Sequence, residues 1–173
     1  MDRLWSPWRS QYIQTFGTEL EGKGCVFCEA LASSSDDARY LVRRHATCFT
    51  MLNLYPYNSG HLLVIPNRHV ASYAELSAAE YAEMTELLRD WMRALDVAMH
   101  PQGYNIGSNV GRVGGAGIDQ HVHMHVVPRW NGDANFMPVI ADTKVISESM
   151  EDTLRRLREA FDGLDVRFSD PER

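Results

Sequence analysis

The 173-residue chain has no apolar run approaching the ~20 residues that a membrane-spanning helix needs. Its opening, MDRLWSPWRS, lacks the apolar core of a secretory signal. A basic surplus is also missing. Seventeen Lys and Arg against 23 Asp and Glu leave a net charge of −6, whereas a general nucleic-acid binder usually carries a broad basic surface. A small anionic ligand stays compatible with that charge, because local donors decide its binding. Cysteine is scarce: there are three, an odd number, and two form Cys25-Val-Phe-Cys28. Without an export signal, such a pair fits metal or redox chemistry better than a disulfide framework, and the expected compartment is the cytoplasm. No internal repeat and no linker interrupts the chain. With 45% apolar and 23% charged residues it reads as one globular domain over residues 1–173, with residues 1–24 as an N-terminal arm.

The pattern along the chain predicts an α+β fold with a mainly antiparallel sheet of about five strands, one long helix and one C-terminal helix. RYLVRRHATCFTMLNL (39–54) is rich in β-branched and aromatic residues and reads as one or two strands. YPYNSG (55–60) is a turn, and HLLVIP (61–66) a short buried strand closed by Pro66. Ser77-Ala-Ala-Glu80 is a capping box, followed by helical sequence from Ala78 to about Met99. Tyr81, Met84, Leu88, Trp91, Leu95 and Ala98 recur at helical spacing as its expected apolar face. Pro101 and Gly103 stop it. GYNIGSN (103–109) resembles a strand, GRVGGAG (111–117) a glycine-rich loop, HVHMHVVPR (121–129) a strand, NGDANF (131–136) a loop, and SMEDTLRRLREAF (149–161) a closing amphipathic helix.

Only seven histidines occur, yet His121, His123 and His125 fill alternate positions within five residues. Alternate residues of a strand share a face, so the three imidazoles are expected to point one way, with Val122, Met124 and Val126 facing the core. A solvated face would be served as well by Ser, Thr or Lys. Two histidines at i and i+2 suit a metal, and a neutral imidazole suits phosphate chemistry as a nucleophile with donor neighbours. The loop Asn109-Val-Gly-Arg-Val-Gly-Gly-Ala-Gly117 favours the last reading, because glycines let main-chain N–H groups approach an anion. Gln120 falls on the other strand face and receives no role.

His121-Val-His123-Met-His125-Val-Val resembles the signature of the histidine-triad (HIT) superfamily of nucleotide hydrolases and transferases. Asn53-Leu-Tyr-Pro-Tyr-Asn-Ser-Gly60-His61-Leu-Leu-Val-Ile-Pro is similar to that family's ribose-binding strand and turn. LWSPWRSQYI and RWNGDANFMPVI are similar to its zinc-containing branch of bacterial diadenosine tetraphosphate phosphorylases (ATP adenylyltransferases). The resemblance implies an enzyme that cleaves dinucleoside polyphosphates at an α-phosphate. It makes His123 the nucleophile that carries the nucleotide, and His125 a donor to a nonbridging phosphate oxygen. It makes Asn109, Gly115 and Ala116 phosphate contacts, Asn53 a ribose ligand, and His61 a buried support. Many relatives carry a hydroxyl residue near Ala116 that this chain lacks. Phosphate as second acceptor makes a phosphorylase, and water makes a hydrolase of nucleotides or phosphoramidates. A non-catalytic nucleotide-binding module is the alternative from another class, and its mark would be a damaged triad. Relatives pair as homodimers.

Zinc needs two ligands beyond Cys25 and Cys28. The resemblance supplies His69 and His121, making the metal structural and leaving His123 to react. His45 is the spare candidate, and Cys48 is expected in the core. A redox pair and two buried thiols are the other readings of the CxxC. Arg112 and Arg129 are candidate phosphate ligands. Trp5, Trp8 and Trp130 are expected to pack rather than stack a base.

Overall fold

The computed structural model describes residues 24–133 and 148–164. The arm with Trp5 and Trp8, and residues 134–136 of the NGDANF loop, lie outside them. Among the described residues, five strands form one antiparallel sheet: β1 (Leu41–Arg44), β2 (Cys48–Leu52), β3 (Leu62–Pro66), β4 (Gly103–Gly107) and β5 (Met124–Arg129). Their order is β1-β2-β3-β5-β4, so the histidine-bearing strand lies beside the central one. Three helices complete the described fold: α1 (Val26–Ala32), α2 (Ala78–Met99) and α3 (Met150–Asp162).

The period of two along β3 explains why all five of its residues are apolar or Pro and buried. Leu62 and Val64 pack with Trp91 and Leu95 of α2 and Leu157 and Phe161 of α3. Leu63 and Ile65 point the other way and pack with Phe27 and Ala30 of α1. The sheet is therefore covered on both faces. Trp91 is fully buried, and its indole N–H donates to Thr50 Oγ1 at 2.8 Å, so burial leaves no orphan donor. Truncating it to Ala costs about 3–5 kcal/mol.

Helix α2 runs over the expected span, and both halves of the Ser77–Glu80 capping box are formed. Its buried stripe is wider than expected. Met84, Leu87, Trp91, Ala94 and Leu95 are buried and Leu88 and Ala98 partly so, whereas Tyr81 is 56% exposed. The apolar face turns with a true 3.6-residue period, which carries Tyr81 off the contact. Helix α1, which the sequence pattern did not announce, begins directly after Cys25 and covers the imidazole-bearing face of the sheet.

Strand β5 begins at Met124, three residues later than expected. His121, Val122 and His123 precede the hydrogen-bonded ladder. Met124 and Val126 do pack toward α2, as the alternation predicts. The opposite face is no open front, since His121 and His123 are 0% and 5% exposed beneath α1.

Candidate functional site

A cavity of about 440 Å³ opens between α1, the β2–β3 turn and the glycine loop. Phe27, Met51, Leu63 and Ile118 give it an apolar wall, and Asn53, Asn109, His123 and His125 bring polar groups to it. An apolar cavity with a few convergent polar groups is the usual form of a small-molecule site.

The local partners of each ring assign its hydrogens. His123 Nδ1 lies 2.9 Å from the carbonyl oxygen of His121, so it carries the hydrogen and Nε2 keeps the lone pair. Burial pushes the His123 pKa below the ordinary histidine value, so the ring is neutral near pH 7. The main-chain N–H of Tyr57 donates to His61 Nδ1 at 3.0 Å. His61 Nε2 must then carry the hydrogen, which it donates to His125 Nδ1 at 2.9 Å. His125 is left with its hydrogen on Nε2. Burial first, and then His125 and His123, hold the His61 pKa down to about 3, so this relay stays uncharged. The Tyr57 ring lies over His125, with centroids 6.0 Å apart and planes 19° apart.

The Gly-His pair has a steric cause. Gly60 has φ +74°, and a Cβ there would meet Met99 Sδ at 2.6 Å and Leu95 Cδ2 at 3.1 Å. Asn53 is both turn former and cavity residue: its Oδ1 accepts from the Tyr57-side turn at Tyr55 N–H, 3.0 Å, while it lines the pocket.

The glycine loop is built differently from the expected cradle. The amides of Gly114, Gly115 and Ala116 donate to Gly111 O, Arg112 O and Gly111 O, closing the loop's own turn. Gly115 and Gly117 line the cavity; Ala116 is buried behind them. Neither Arg112 nor Arg129 reaches the cavity. Arg112 pairs with Asp119 at 3.0 Å, and Arg129 grips Asp133 with two bonds of 2.6 and 2.7 Å. Arg39 is the arginine among the lining residues, and no motif pointed to it. Trp130 donates its indole N–H to His100 O at 3.2 Å, a packing role as expected.

Cys25, Cys28, His69 and His121 converge, with one ligand atom from each lying within 4.8 Å of all the others. His121 Nδ1 is 3.3 Å from Cys25 Sγ and 3.7 Å from Cys28 Sγ, and His69 Nδ1 is 3.3 Å from Cys28 Sγ. Zinc bond lengths imply tetrahedral edges of roughly 3.3–3.8 Å, so the set fits that ion. His121 Nε2 donates to Pro66 O at 2.9 Å, leaving Nδ1 as the ligating atom with a carbonyl behind it, the usual second partner of a metal-bound imidazole. Burial, then the neighbouring Cys25 thiol, pushes the Cys28 thiol up to about 11, and a divalent cation would reverse that. His45 is elsewhere, its ring 5.8 Å from Phe161 and its pKa lowered by burial to about 4. Cys48 is fully buried in the core, where burial raises its pKa to about 12. Phe27 joins the two centres: its ring meets His121 at 5.5 Å and His123 at 4.9 Å, both edge-on.

Comparison with known proteins agrees with this geometry. AP-4-A phosphorylase of Mycobacterium tuberculosis is 36% identical over 162 residues, covering 91% of this chain and 83% of that protein. Adenosine 5'-monophosphoramidase of Schizosaccharomyces pombe is 32% identical over 107 residues, 62% of this chain and 75% of that protein. Both relatives are enzymes by name. Among solved structures, a zinc-bound histidine triad family protein from Mycobacterium smegmatis superposes with a TM-score of 0.67 at 27% identity, covering 82% of this chain and 96% of that one. The HIT domain family matches residues 37–132, the span that holds the sheet, the relay and the histidine row, and the chain belongs to that family.

Proposed function

We propose that the protein cleaves a dinucleoside polyphosphate, such as diadenosine tetraphosphate, at an α-phosphate, with inorganic phosphate as acceptor. The observation that carries this reading is the pair of opposite tautomers at the cavity: a lone pair on His123 Nε2 beside a hydrogen on His125 Nε2. His123 Nε2 attacks the α-phosphorus. A P–N bond forms and the P–O bridge breaks, its electrons leaving with the nucleoside triphosphate. His125 Nε2–H donates to a nonbridging oxygen as charge builds there. A phosphate oxygen then attacks the same phosphorus, breaks the P–N bond and yields a nucleoside diphosphate. Two displacements replace one difficult step.

Asn53 binds the ribose and Asn109 the phosphates in this reading. Gly115 supplies close approach rather than a primary donor, because its amide is engaged, and Ala116 shapes the loop behind it. Arg39 meets the distal phosphates from the cavity rim. A structural zinc on Cys25, Cys28, His69 and His121 would fill all four positions with protein ligands, tying α1 to the residues before β5 and leaving no site for water chemistry. We assign the protein to the cytoplasm, where its three free thiols stay reduced. No described helix is long and apolar enough to cross a membrane. A homodimer is the expected assembly: the outer strand β4 leaves Ile106 44% exposed, and α2 leaves Val97 59% exposed.

The S. pombe phosphoramidase favours a second reading, in which water replaces phosphate. Incubating the protein with diadenosine tetraphosphate, with and without inorganic phosphate, separates the two. Phosphate-dependent formation of ATP and ADP supports the phosphorylase. AMP released in its absence overturns it.

A further inference from the structure

We propose that Ser108, backed by Tyr73, is a positioning residue for nucleotidyl transfer: its hydroxyl pins the main-chain carbonyl of His123 and so aims the imidazole. This rests on His123 being the nucleophile.

The sheet itself does not hold His123. Pairing with β4 ends at Gly107–His125, and pairing with β3 ends at Val64–Met124. The reacting residue sits one step beyond the β3 ladder and two beyond the β4 ladder. Three other bonds secure this stretch. Val122 N–H donates to Val70 O at 2.7 Å, His121 Nε2–H to Pro66 O at 2.9 Å, and Ser108 Oγ–H to His123 O at 2.8 Å. The first two fix the residues before His123. Among the described residues, the Ser108 bond is the one that grips His123 by its own main-chain carbonyl, from the position directly after β4.

Ser108 has one hydroxyl hydrogen, and the His123 carbonyl accepts it. The contact between Ser108 and Tyr73 is therefore a Tyr73 O–H donating to Ser108 Oγ. Tyr73 belongs to the short 3₁₀ turn Tyr73–Glu75 ahead of α2, and its ring rests edge-on against Tyr81, with centroids 6.2 Å apart. The hydroxyl pair thus links the start of α2 to the nucleophile. With Nδ1 held by His121 O and the carbonyl held by Ser108, the remaining lone pair on Nε2 has one direction. A displacement of about 1 Å at a reacting atom costs on the order of 10²-fold in rate.

The test compares wild type, Ser108→Ala, Ser108→Thr, Tyr73→Phe and His123→Asn, using labelled diadenosine tetraphosphate. Single-turnover labelling of the protein without phosphate is measured alongside steady-state kcat and KM with phosphate. Ser108→Ala is expected to lower the labelling rate and kcat roughly 10- to 100-fold with KM nearly unchanged. Ser108→Thr, which keeps the hydroxyl, restores most of the rate, and Tyr73→Phe gives a smaller loss of the same kind. Wild-type labelling in Ser108→Ala, equal losses in Ser108→Ala and Ser108→Thr, or a loss confined to KM overturns the proposal. Should Ser108→Ala fail to fold, Tyr73→Phe against Ser108→Thr is judged by the same criteria. An inert His123→Asn beside an unimpaired Ser108→Ala removes the positioning role alone, whereas His123→Asn that still turns over removes the nucleophile and this proposal together.

Discussion

At one end of the histidine row, His121 gives its Nε2 hydrogen to Pro66 O and turns Nδ1 toward two sulfurs. Two residues later, His123 gives its Nδ1 hydrogen to His121 O and turns Nε2 into a cavity. The same side chain, twice in the stretch leading into β5, turns one nitrogen toward the sulfurs in one place and toward the cavity in the other. The difference lies in which ring nitrogen meets a main-chain carbonyl. His125 makes a third case, because its Nδ1 lone pair is occupied by His61 and its hydrogen sits on Nε2, a buried atom. Burial lowers the pKa of both His121 and His123, so neutrality is common to the two ends and does not separate them.

That contrast is sharpest under mutation. His123→Asn should remove turnover by on the order of 10⁴- to 10⁶-fold while the thermal midpoint stays near wild type. His61→Ala breaks the relay that fixes the His125 tautomer; a loss of about 10²-fold in kcat, measured in steady state, is expected. The opposite behaviour belongs to the sulfur end. Cys25→Ser should abolish bound zinc by elemental analysis and lower stability by at least ~4 kcal/mol, with Cys48→Ser retaining the metal. A Cys25→Ser protein that melts like wild type would erase the division between the two ends.

Acid should affect the ends through one cause. His123 reacts as free base, so kcat/KM should rise with pH and level off with a midpoint below the ordinary value of about 6.5. Stability follows the same sign. Folded His61 and His45, with pKa values of about 3 and 4, refuse protons that the unfolded chain accepts near 6.5. Their contribution is whole above 6.5 and is lost as pH falls toward those values, at up to about 1.4 kcal/mol per pH unit for each. His45→Gln should flatten the fall in denaturation midpoint between pH 7 and 5 without changing activity at pH 7. Smallest of all, Arg112→Ala should shift stability by under about 0.5 kcal/mol, because the Arg112–Asp119 pair is exposed.

Much of this was legible in the residues. Alternation in HLLVIP and HVHMHVVPR, the Ser77 capping box and the turn before Gly60 carried the sheet, α2 and the entry to the cavity. The triad pointed to the family, and the CxxC pair to the cysteine–histidine cluster. What escaped notice depends on distant contacts. Helix α1 is only seven residues long, and packing on Leu63 and Ile65 holds it where its own propensity would not. Arg112 and Arg129 looked available until Asp119 and Asp133 were found beside them, and Arg39 sits in no motif. The Tyr73–Ser108 pair spans 35 residues of sequence and has no periodicity to betray it.

The most direct measurement is to react the protein with labelled diadenosine tetraphosphate without phosphate, quench it, digest it and map the labelled residue. Label on His123 Nε2, chased into nucleoside diphosphate when phosphate is added, is the predicted result. Label on another residue, or product formed with no labelled protein at any time, contradicts the account.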